Sequence, residues 1–266
     1  MIDIAVRAGM TLLVVFTGAT LVGTAIKAPS RRSTATVAGT PAAAIGLALF
    51  IAISTPLGYV IPFDDYGPIL AIVLVGLALA RLFFARSRRI AVHLLDQFVS
   101  LVSAVPAVIL SCWQYVVFRP SGVNVPTASA DLLSFATTSS WLRHHSYFDL
   151  LSETPRTIGW SWLSYQVKYY FPLGDASLSN LMGMGRLHDG LNTTQLATVA
   201  CSGLIAVSTY GLVRTIGHPR RLAVLGAVIV SCTTVNIENA LAVSLASQLG
   251  IALFIAWLTS LVVYLA

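Results

Sequence analysis

Ionisable side chains are scarce in this chain of 266 residues, 16 of them Lys or Arg, 10 Asp or Glu and five His, so each spaced group can be weighed. Asp131 heads the stretch Asp131 to Tyr147 and has the chemistry of a general base, taking a proton from an attacking hydroxyl. An Asp that opens a helix is equally an N-cap. Arg143, His144 and His145 follow at the far end of that stretch. A guanidinium pairs bidentately with phosphate and an imidazole adds charge or a proton, while a solvated helix end accounts for the same residues. Asp64 and Asp65 are adjacent carboxylates just before Gly67 and Pro68, able to contact a substrate or simply to form a polar turn. His93 and Asp96 stand three residues apart on one helical face inside an apolar run. An ionisable pair there is a functional candidate, although Asp96, about 9 Å in from the start of the run, can also reach the Arg86 to Arg89 cluster.

Other groups are less specific. Asp149, Glu153 and Asp189 with His188 have no spacing diagnostic of a metal site. Cys112, Cys201 and Cys232 are odd in number and lack ligand spacing, which argues against a disulfide framework and against zinc. No metal site is expected, and a divalent-cation requirement stays open. Asn236, Glu238 and Asn239 could line a cavity or form a polar turn. The aromatic segment Trp160 to Phe171 could stack on a sugar or an isoprenoid, or form an interfacial belt. The sequon Asn192, Thr193, Thr194 carries little weight in a chain whose Arg-over-Lys and Ala/Val/Leu bias fits a bacterial gene.

The elements that must position these residues follow from composition. The chain is 56% hydrophobic and 10% charged, with a mean hydropathy of +0.82. That excludes a soluble globular protein. The net charge of +6 does not point to nucleic acid, because the basic residues sit in short clusters between apolar runs. The expected fold is all-α, a polytopic helical membrane protein with about 7 transmembrane helices, at Ile4 to Ile26, Ala42 to Ile61, Pro68 to Phe84, Ile90 to Phe118, Thr194 to Val213, Leu222 to Val235 and Leu241 to Ala266. The N-terminus lacks the basic n-region of a cleaved leader and reads as a retained span. The final run ends at Ala266 without a polar flank, so a longer reading frame is expected.

Basic residues follow the first, third and fifth spans: Lys27, Arg31 and Arg32; Arg81, Arg86, Arg88 and Arg89; Arg214, Arg220 and Arg221. The other connections are acidic or balanced. The positive-inside rule then puts the N-terminus and the long 119–193 loop on the extracytoplasmic face of a multi-pass cell-membrane protein. A loop of that length is expected to be folded. It reads as two amphipathic surface helices, Asp131 to Tyr147 and a second one capped by Asp175 and running through Met182, joined by the aromatic segment.

The sequence Asp131, Leu132, Leu133, Ser134, then Trp141, Leu142, Arg143, His144, His145, Ser146, then Tyr170, Phe171, Pro172, Leu173, Gly174 before further spans resembles the GT-C glycosyltransferases, particularly large actinobacterial multi-pass members. The resemblance covers about Ile90 to Ala266. It implies an extracytoplasmic loop with two membrane-parallel helices, an acidic general base at Asp131, and donor-phosphate contacts from Arg143 and His144, with His145, Asp64 and Asp65 as further substrate contacts. It also implies a polyprenyl-phosphate sugar donor, a cell-envelope glycan or lipid acceptor, membrane lipids as surroundings and no nucleic acid. Residues 1–89 then form a three-span segment ahead of the GT-C-like module, 90–266, whereas the family places its loop after the first span. The rival readings are a transporter or lipid flippase, resting on His93 and Asp96, and a non-catalytic envelope-assembly subunit.

Overall fold

The computed structural model describes residues 2–27, 41–85, 88–112, 130–152, 173–184, 190–233 and 245–265. Ten helices and no strand are found among them: α1 (Ile2–Lys27), α2 (Ala42–Gly58), α3 (Phe63–Ala85), α4 (Arg88–Ser111), α5 (Ala130–His144), α6 (Tyr147–Ser152), α7 (Leu173–Gly183), α8 (Gly190–Thr215), α9 (Arg220–Ser231) and α10 (Leu245–Leu265). Four contain stretches long and apolar enough to cross a membrane: Val6–Ile26, Phe63–Phe84, His93–Ser111 and Asn192–Thr215. Two more apolar stretches, Ala42–Gly58 and Ser247–Val262, are shorter. Each of the seven expected runs thus holds a helix. The 12 residues of α9 extend only about 18 Å, short of the ~30 Å of a hydrocarbon core.

The bundle is built around α8, which is buried from Asn192 to Gly211 and packs on α4, α5, α7, α9 and α10. Its sequence permits this because small and hydroxyl residues let neighbouring helices approach closely. Ser202 Oγ donates to Gln248 Oε1 of α10 at 2.9 Å, and Thr198 Oγ1 returns its proton to the Thr194 carbonyl at 3.0 Å. At Gly203 a β-carbon would stand 2.9 Å from Phe16 of α1 and 3.1 Å from Val108 of α4, so the absent side chain admits both. The antiparallel pair α1 and α2 closes in the same way: β-carbons at Gly23 and Gly46 would collide with the backbones of Ala42 and Ala19. α3 lies along α1, with Gly18 against Val75.

One end of the bundle, called upper here, carries the start of α3 together with α5, α6 and α7. The lower end carries the starts of α2, α4 and α9. Three expectations at the upper end need correction. α3 begins at Phe63, five residues before the expected start, so Asp64 and Asp65 belong to its first helical turn rather than to a connecting loop. Carboxylates there face the positive end of the helix dipole, and Pro68 lies inside the helix, in its second turn. The expected helix to Tyr147 breaks after His144, because Ser146 starts a new helix. Its N–H donates to Asp149 Oδ2 at 2.7 Å and its Oγ accepts from the Asp149 N–H at 3.2 Å, a reciprocal cap. Asp175 is in the first turn of α7 rather than before it.

α7 is also not a surface helix with one wet face. Residues Ala176 to Gly183 are all buried against α2, α5 and α8. Hydroxyls make this possible: Ser54 of α2 bonds Ser177 Oγ and Tyr66 Oη, each at 2.8 Å, and Ser139 donates to Asn180 at 2.8 Å. Tyr59, at the end of α2, packs edge-on against Tyr147 and accepts the Phe148 N–H at 3.1 Å, fixing α6 on the same end.

Candidate functional site

At the upper end, two segments far apart in sequence meet at Asp64. Arg143 Nε donates to Asp64 Oδ1 at 2.8 Å, and His144 Nδ1 lies 3.2 Å from Oδ2. The start of α3 supplies the carboxylate and the last turn of α5 supplies both cations. The Asp64 side chain is 39% exposed, so water and solutes reach the pair. Arg143 is more enclosed, with its Nη1 3.5 Å from where a side chain on Gly183 would begin. It therefore joins the start of α3, the end of α5 and the end of α7, where a cation is favoured by the negative end of the α7 dipole. Asp65 is exposed beside Asp64 and has no hydrogen bond to it.

His145 turns away from this cluster. Its ring stacks on Trp141 at 3.8 Å between centroids and 9° between planes. Asp131 is in the first turn of α5, and its side chain lies outside the described residues. So do Glu153, the aromatic segment Trp160 to Phe171, His188 and Asp189, and Asn236 to Asn239. Asp149 is used as a cap, and the Ser146 N–H holds its carboxyl below the usual carboxylate range. Burial pushes the carboxyl of half-buried Asp175 up to about 6. Among the described residues no three His, Cys, Asp or Glu side chains group closely enough to hold a metal ion.

At the lower end, Asp96 is 2% exposed and is the meeting point of three helices. Its Oδ1 accepts from Tyr210 Oη at 3.0 Å and from Arg220 Nε at 2.9 Å, with Arg214 Nε at 3.4 Å. Neighbouring Gln97 accepts the first N–H of α2, from Ala42, at 3.3 Å. His93 is buried one turn away, and neither of its ring nitrogens has a hydrogen-bond partner among the described residues. Asp96 thus fastens α4 to the end of α8 and the start of α9, placing one negative charge between two arginines that the sequence marked only as loop charge.

Several of these partners had no readable sign in the sequence. Ser54 stands in an apolar segment, where a hydroxyl commonly bonds its own helix, while Ser177 and Asn180 read as the wet side of a surface helix. A signal that could have found Arg214 and Arg220 was their position level with Asp96, since α4 and α8 run in opposite directions. Compared with protein-family models, curated proteins and solved structures, the chain matches none.

Proposed function

We propose that the protein is an integral membrane glycosyltransferase with seven spans, moving a sugar from a polyprenyl-phosphate donor to a cell-envelope acceptor at the extracytoplasmic face, which would be the upper end. The observation that supports the reading is the convergence of Arg143 and His144 on solvent-reachable Asp64. Cations held at an open end of an apolar bundle suit an anionic lipid headgroup. In the reaction, the acceptor oxygen bonds to the anomeric carbon of the donor as the bond from that carbon to the phosphate oxygen breaks. The acceptor proton passes to Asp131, and the negative charge leaves with the polyprenyl phosphate, where Arg143 and His144 stabilise it. His145 acts indirectly, by holding Trp141.

The transport reading leans on Asp96, whose carboxylate is already engaged by two arginines and a tyrosine. The experiment that separates the readings is sugar transfer in proteoliposomes supplied with radiolabelled polyprenyl-phosphate sugars. The expected result is transfer by the native chain, loss of about a hundredfold or more in Asp131→Asn, and a smaller loss in Arg143→Gln. Wild-type transfer by a folded Asp131→Asn protein removes Asp131 from the mechanism, and absence of transfer from every such donor rejects the enzyme.

A further inference from the structure

An apolar groove of about 510 Å³ lies between α1, α2 and α3. Its floor is made of small residues, Gly18, Ala19, Gly46 and Ala71, and among the described residues Arg7 is the one charged side chain that lines it. Along α1 the lining runs from Arg7 to Val22, fifteen helical steps and so about 22 Å, most of the ~30 Å depth of a hydrocarbon core. A slot of this length, lined by apolar side chains with Arg7 at its end, suits the chain of a lipid.

Its charged end meets the site already described. α1 and α3 run parallel with Gly18 against Val75, and eleven residues back along each helix stand Arg7 and Asp64. Arg7 is therefore level with the Asp64–Arg143 pair. Leu181 and Met184 line the same end of the groove, on either side of Gly183, the residue that Arg143 Nη1 overlies. The apolar groove thus ends at Arg7, on the level of the Asp64–Arg143 pair.

We infer that this groove binds one chain of a phosphate-bearing lipid, with the chain against α1, α2 and α3 and the phosphate between Arg7 and Arg143. The ligand is a polyprenyl phosphate, an identity that rests on the transferase reading; the position and charge of the site do not. The three helices that precede the GT-C-like part of the chain would then form the donor's lipid channel.

The test is lipid retention by the purified full chain in detergent, read by native mass spectrometry with polyprenyl phosphate, the uncharged polyprenol and phosphatidylglycerol offered at equal concentration. The expected result is retention of polyprenyl phosphate about tenfold above polyprenol. Arg7→Gln should bring the two lipids toward parity. Val14→Trp, which places bulk in the groove from a position that is 69% exposed and so leaves packing intact, should abolish retention of both. Equal retention by Val14→Trp overturns the groove, and equal retention of phosphatidylglycerol overturns the polyprenyl assignment. Binding is measured without sugar or acceptor. A chain that holds polyprenyl phosphate but moves no sugar therefore rejects the transferase and keeps the groove, whereas sugar transfer undiminished in Val14→Trp does the reverse.

Discussion

Replacing Asp96 with Asn probes whether the lower cluster is a structural clamp. The carboxylate is 3% exposed and serves Tyr210, Arg214 and Arg220 together. Removing one partner of a buried ion pair costs about 3–5 kcal/mol, because the remaining charge stays uncompensated in a poor solvent. Two features lower that figure here. Arg220 is 41% exposed and can turn to water, and an Asn carbonyl can still accept from Tyr210 and Arg220. Arg214, 19% exposed, cannot escape as easily. The expected loss is therefore about 3 kcal/mol, or roughly 6–12 °C in Tm if a chain of this size responds like a soluble one. The matching upper-end variant, Asp64→Asn, breaks a pair that is 39% exposed on the carboxylate side and should cost under about 1 kcal/mol. Thermal unfolding in detergent compares the two. The double variant Asp96→Asn/Arg220→Gln should be less damaged than the sum of the single variants, as expected for residues in contact. An Asp96→Asn protein that melts with the native one, or no earlier than Asp64→Asn, refutes the clamp.

Gly46→Leu should separate α1 from α2, because the position faces the Ala19 backbone directly; the expected loss is about 3 kcal/mol or failure to fold, seen as aggregation in size-exclusion chromatography, and a variant that elutes and melts like the native chain contradicts the close crossing. Asp175→Asn should do the opposite. Its folded carboxyl titrates near 6, above the ~3.9 of an unfolded Asp, so the folded state binds more protons between those values and loses stability as pH rises through them. The Asn variant should be more stable by on the order of 2 kcal/mol at pH 7.5, and its advantage should vanish near pH 4; an advantage independent of pH in the melting profile would point elsewhere.

The helical architecture was legible in the sequence because a membrane-length apolar run leaves few alternatives: only a helix satisfies its own backbone in lipid. Each expected run carries a helix for that reason. Boundaries were less legible where local chemistry competes with hydropathy. Ser146 stops one helix and caps the next, and a hydropathy window reads straight through it. The start of α3 was placed too late because Pro68 reads as a breaker, whereas the helix begins at Phe63 and carries Pro68 in its second turn. The burial of α7 was hidden because Ser177, Ser179 and Asn180 look like a wet face, and Ser177 and Asn180 are instead partnered by Ser54 and Ser139 from other helices. Asp64, Arg143 and His144 could each be singled out by residue type. That they meet depends on how α3 and α5 pack, which spacing along a chain cannot express.

The Asp64–Arg143 pair raises a question of roles that kinetics can answer. If Arg143 holds the donor phosphate, Asp64 competes for the same guanidinium. The competition is lopsided: a part-exposed ion pair is worth under about 1 kcal/mol, while a charge-assisted contact to phosphate contributes about 1.5–3 kcal/mol. Phosphate therefore displaces Asp64 with little loss. What Asp64 contributes before that moment is order, since a free Arg side chain has about 2 kcal/mol of rotamer entropy to give up on binding. Held by Asp64 over Gly183, Arg143 has already lost part of it. In the proposed enzyme, Asp64→Asn should thus raise the donor KM several-fold and leave kcat unchanged, because ground state and transition state lose the same preorganisation. A kcat that falls a hundredfold at constant KM would mean that Asp64 takes part in the bond-making step itself, and that the base assigned to Asp131 stands on the other side of the site.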